Sequence, residues 1–126
     1  MDPPSDLEQE NAALPELKDF FSGAVVMITS KAERRGCLLC NTATEAMSIS
    51  PEVQSIVNDF FAAMTKTFRS CLARAVDKKQ LDKSLDSENI AAYLTNTFRT
   101  VLMLARCGES RRSIQQHVNV ALGVLE

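Results

Sequence analysis

Cys37-Leu38-Leu39-Cys40 sets two nucleophiles at a spacing with known chemistry. A C-x-x-C pair performs thiol–disulfide exchange when its first thiol is a stabilised thiolate. Here the pair follows Gly36 at an expected helix start, where the helix dipole and the nearby Arg34 and Arg35 would depress the pKa of Cys37. The intervening residues are apolar and no strand precedes the motif. Two buried, inert thiols are therefore the plainer reading, with a redox- or electrophile-sensing pair as the alternative. A zinc site needs three or four ligands at fixed spacing, and Cys71, Cys107 and His117 are isolated from one another, so no metal is expected. His117, the one histidine, reads as a surface or interface residue rather than as half of a Cys–His pair. With no G-x-S-x-G, no H-E-x-x-H and no Gly-rich phosphate loop, neither enzymatic activity nor a cofactor is expected.

A second constellation concerns binding rather than reaction. Asn41, Thr44 and Glu45 lie at i, i+3 and i+4, so they share one helical face. Solvated, that face does nothing; turned inward, it places an amide, a hydroxyl and a carboxylate inside a cavity. Phe60, Phe61, Met64 and Phe68 fall on one expected helix, and Tyr93, Thr97, Phe98 and Met103 on another. Such stripes build plain core, or they enclose an apolar or aromatic ligand beside a few fixed polar groups. The candidate pocket is Asn41, Glu45, Phe60, Met64, Phe68, Tyr93, Thr97 and Phe98, with Asn41 and Glu45 orienting the ligand.

Positioning these groups falls to helices. A chain of 126 residues is large enough for one domain with its own core, and four Gly and four Pro argue against a many-turned sandwich or barrel. The stretch 1–13 is polar, contains proline and lacks periodicity, so it reads as a tail or linker ahead of a domain at 14–126. A first helix is expected over Pro15–Ala32, a short second over Cys37–Met47, and a long third from the Ser50 cap and Pro51 to about Lys79. Asp86 or Ser87 caps a fourth helix that ends at Gly108, and Ser110 caps a fifth. The expected fold is all-α, a five-helix bundle.

The closing hairpin carries a surplus. Ile114, Val118, Val120, Ala121, Leu122, Val124 and Leu125 spread over more than one face, whereas a helix packed on a single core needs one stripe. A homodimer is therefore expected, its interface a four-helix bundle made by the last two helices of each copy, with Val101, Ala105, Val120, Ala121 and Val124 as candidate contacts. A net charge of −2 and short, scattered basic clusters speak against nucleic-acid binding by these residues. No apolar run approaches the ~20 residues of a membrane span, and the acidic N-terminus lacks the features of a signal peptide, so the expected setting is the reducing cytoplasm.

The string Arg35-Gly36-Cys37-Leu38-Leu39-Cys40-Asn41-Thr42-Ala43, then Ser50-Pro51-Glu52-Val53 opening a long helix, then Leu104-Ala105-Arg106-Cys107-Gly108 before a final helix, resembles the C-terminal effector-binding and dimerisation domain of TetR-family transcriptional regulators. The resemblance covers the chain from about Leu14 onward. It implies an all-α domain that dimerises through its last two helices and binds a small-molecule effector among the earlier ones, releasing an operator. It also implies an N-terminal helix-turn-helix domain of roughly fifty residues that these residues do not provide, so contact with DNA is expected only through such a domain. Two further readings stand beside this one: a stand-alone helical dimerisation or interaction module, and a thiol-based sensor using Cys37 and Cys40.

Overall fold

The computed structural model describes residues 5–30 and 50–126, with side chains from Leu7. Those residues form four α-helices and no strand: α1 (Leu14–Ile28), α2 (Pro51–Asp77), α3 (Ser87–Arg106) and α4 (Arg111–Ala121). One 3-10 turn, Ser5–Glu8, precedes them and another, Leu122–Leu125, closes the chain. The expected helix over Cys37–Met47 lies outside the described residues.

Local chemistry sets the boundaries. The hydroxyl of Ser50 accepts the amide of Val53 at 3.1 Å, Asp86 accepts that of Asn89 at 3.2 Å, and Ser110 accepts that of Ser113 at 3.1 Å. Each cap satisfies an amide that the first helical turn leaves without a partner. α3 stops where Gly108 turns to φ 85° and the amide of Glu109 returns to the carbonyl of Leu104 at 3.0 Å. α2 stops in the same way at Lys79, φ 60°, with the Gln80 amide on the Ala75 carbonyl at 2.8 Å. A left-handed conformation is costly for a residue with a Cβ, and no glycine marks this stop in the sequence. α1 ends earlier than the expected Ala32: the Thr29 hydroxyl donates to the carbonyl of Val25 at 2.6 Å, and Arg111 at the start of α4 donates to the Thr29 oxygen at 2.8 Å.

One core joins the four helices. α1 gives Leu17, Phe21, Val25 and Ile28; α2 gives Met64, Phe68 and Leu72; α3 gives Leu94, Phe98 and Leu102; α4 gives Ile114 and Val118. Burying a side chain of this size contributes roughly 1.5–3 kcal/mol. α2 and α3 share the most extensive contact, with the hydroxyls of Thr65 and Thr95 bonded across it at 2.6 Å.

The aperiodic stretch ahead of α1 is docked. Leu7, Ala12 and Ala13 are fully buried, and Cys71 and Arg74 of α2, with Lys78 just past its end, donate to carbonyls of this segment. Periodicity could not reveal this, because a lone leucine held by side chains more than sixty residues away leaves no repeat to read.

Candidate functional site

The rings meet where α1, α2 and α3 cross. Helical spacing turns Phe21 of α1 and Phe68 of α2 toward each other, stacked with centroids 5.6 Å apart and planes 28° apart. Phe20, the next residue back on α1, touches Phe21 edge-on at 5.3 Å, Phe68 at 5.7 Å and Phe98 of α3 at 5.8 Å. Phe20 thus bridges Phe68 and Phe98. Phe21 and Phe68 have no exposed surface and Met64 almost none, whereas Phe20 is only partly buried. The cluster is a wall of four aromatic rings with one ring at its open edge, a surface suited to stacking and dispersion rather than to bond-making.

The expected pocket residues are distributed around this wall. Phe68, Met64 and Phe98 are brought together in the core. Phe60 is buried but pairs with Phe61 at 5.3 Å. Thr97 is buried, and its hydroxyl donates to the Tyr93 carbonyl one turn earlier at 2.9 Å, so its proton is already engaged. Tyr93 is exposed, at 42 %. Asn41 and Glu45, as well as Cys37 and Cys40, lie outside the described residues. Phe20 and Phe21 were absent from the expected pocket. The signal was present in their adjacency on the first helix, where two consecutive rings cannot both point to one core line.

A second cluster sits on the outer seam of α2 and α3. The Arg99 guanidinium lies 4.3 Å over the ring of Phe61, beside the Thr65–Thr95 hydrogen bond and a shallow recess of about 180 Å³. Cys107 is exposed and Cys71 is buried. Burial pushes the Cys71 thiol up from its ordinary range, and the charge of Arg74 and its hydrogen bond to the sulfur only partly oppose this. Among the described residues no three metal-ligating side chains converge, and no described helix is long and apolar enough to cross a membrane.

The five residues expected to face a second copy divide. Val101, Ala105 and Ala121 are buried within the chain's own core. Val120 is 81 % exposed and Val124 38 %, both at the C-terminal end of the chain, with Met103 of α3 also open at 47 %.

Residues 13–121 match the family described as "Tetracyclin repressor-like, C-terminal domain". The chain belongs to that family. The matched span takes in all four described helices and begins where α1 is capped. A relative in Bacillus subtilis, named "Uncharacterized HTH-type transcriptional regulator YezE", is 25% identical over 132 aligned residues, covering 95% of this chain and 68% of that protein. No solved structure matches. This chain is therefore a C-terminal domain of the tetracycline-repressor-like type, the type found in transcriptional regulators.

Proposed function

We propose that this domain binds a small apolar or aromatic effector against the Phe20–Phe21–Phe68–Phe98 wall and pairs with a second copy to set the geometry of a dimeric transcriptional repressor. The observation that carries the reading is Phe20: a ring in contact with three buried rings yet partly open, so a flat ligand can extend the stack without the core unfolding. Met64, in the core against which Phe20 packs, has the conformational freedom to fit varied ligand shapes. Asn41 and Glu45 are assigned the orienting polar role, Phe60 and Thr97 the flanks, and Tyr93 the rim. DNA contact belongs to a helix-turn-helix domain outside this sequence.

The effector acts by population shift, favouring one arrangement of the two copies over another. It can do so only in proportion to its unequal affinity for them. Val120 and Val124 supply the outward apolar surface on which copies meet.

The test is a panel of flat aromatic compounds scored by the rise in melting temperature, repeated on Phe20→Ala and Phe98→Ala. A ligand at a hundred times its Kd stabilises by about 2.7 kcal/mol. A rise that both substitutions abolish supports the wall as the site. A rise that both retain places the ligand elsewhere.

A further inference from the structure

The segment Leu7–Ala13 reaches α2 through its main-chain carbonyls. Arg74 donates to that of Leu7 at 2.8 Å and to that of Ala12, Lys78 donates to that of Asn11 at 2.8 Å, and the Cys71 thiol donates to that of Leu7 at 3.3 Å. Cys71 and Arg74 lie at i and i+3 on one face of α2, and Lys78, at i+7, caps its C-terminal end. Their weights differ. The Lys78 contact is exposed, where an ion–dipole contact is heavily screened. The Arg74 contacts are partly buried and charge-assisted, and the same guanidinium also lies 3.3 Å from the Cys71 sulfur.

Beside Leu7 and Glu8 the surface is recessed. A recess of about 300 Å³ is lined by Leu7 and Glu8 on one side and by Ala63, Lys66, Thr67, Ser70 and Arg74 of α2 on the other. The segment is anchored by the buried side chains of Leu7 at one end and Ala12 at the other. Where α1 begins the chain is pinned again, with the Ala13 amide on Glu16 and the Leu14 amide on Gln80, each at 2.9 Å. One dominant fastener, four exposed residues between the anchors and an open recess at the edge are the marks of an element that opens at a free energy below that of the whole fold.

We propose that residues 5–13 form a clasp that opens and closes on α2 as a unit, latched by Arg74 and pivoting where α1 starts. Opening withdraws the Leu7 carbonyl and side chain and uncovers the Cys71 thiol, which is fully buried when the clasp is shut.

Cys71 is thus a built-in reporter. The full chain is alkylated with iodoacetamide under native conditions, and Cys71 is followed separately from the other cysteines by peptide mass spectrometry. The expected result is a Cys71 labelling rate with little dependence on sub-denaturing urea, and a rate at least tenfold higher in Arg74→Gln, with partial restoration in Arg74→Lys. Removing the guanidinium would by itself slow alkylation, because it withdraws the charge that favours thiolate, so a faster rate reports access. A wild-type rate that rises with urea along the full slope of global unfolding would overturn the clasp, and an unchanged rate in Arg74→Gln would overturn the latch. Should Arg74→Gln melt cooperatively at a much lower temperature, the wild-type urea dependence alone decides.

Discussion

The rings of Phe20 and Phe98 lie 5.8 Å apart and nearly parallel, 28° between planes, although α1 and α3 are separated by the whole of α2. The contact ties together the first and third described helices and forms the open edge of the aromatic wall. Its energetics should be separable from those of the sealed rings behind it. Phe68→Ala is expected to cost about 3–5 kcal/mol in urea unfolding, because a fully buried ring leaves a cavity. Phe20→Ala, at a ring only partly removed from water, is expected to cost roughly 1–2 kcal/mol. A Phe20/Phe98 double-mutant cycle should return a coupling of about 0.5–1.5 kcal/mol, and a coupling of zero would mean that the two rings are merely adjacent.

Val120 is the most exposed large apolar residue described. Val120→Lys should leave the melting of the isolated fold within about 0.5 kcal/mol of wild type, as surface substitutions do. Sedimentation should show self-association weakened by at least about tenfold, roughly 1.4 kcal/mol. Equal association constants would remove this face from the dimer interface.

Lys79 holds a left-handed conformation that suits glycine, at φ 60°. Lys79→Gly should relieve that strain and raise stability by roughly 0.5–1 kcal/mol, after the larger chain entropy of glycine is set against the gain. Thermal melting measures it. A loss of stability would show that the lysine side chain makes a compensating contact.

Two described groups carry shifts that make stability depend on pH. Burial raises the Cys71 thiol above its ordinary value of 9.0, so the folded chain favours the neutral form. Its contribution is complete below that value and is lost as pH rises through the raised one. Urea midpoints of wild type should therefore fall more steeply with alkaline pH than those of Cys71→Ala. At the acid end, hydrogen bonds from the amide and hydroxyl of Ser84 hold the exposed Asp82 carboxyl below its ordinary 3.8. That contribution is present above 3.8 and fades as pH falls through the lowered value. A carbon-13 titration of the Asp82 carboxyl tests the direction.

Short-range signals were the legible ones. Ser50 with Pro51, Ser110 and Gly108 mark helix ends in a few residues of sequence, and the hydrogen bonds they imply are present. The apolar stripe of α2, with Val53, Ile56, Val57, Phe60, Met64, Phe68, Cys71, Leu72 and Ala75 at three-four spacing, is buried from Val57 to Ala75, whereas Ile56 in its second turn is 61 % exposed. Phe20 was absent from the expected pocket, since its contacts depend on rings contributed by two other helices. The apolar surplus of the closing hairpin was visible, but its direction was not. On a helix as short as α4, one residue of rotation exchanges Val120 for Ala121, and only packing against α1 and α3 settles that Ala121 turns inward. The docking of Leu7 was illegible for a related reason: its partners belong to a helix that begins more than forty residues later.

The clasp is gripped by its peptide carbonyls. Glu8, Gln9, Glu10 and Asn11 keep their side chains in water while Arg74 and Lys78 bind the backbone beneath them. Natural variation there should run nearly free, provided that a leucine-sized plug and a small residue keep their places at positions 7 and 12. A short epitope grafted across positions 8–11 would then ride on the surface and leave the grip intact.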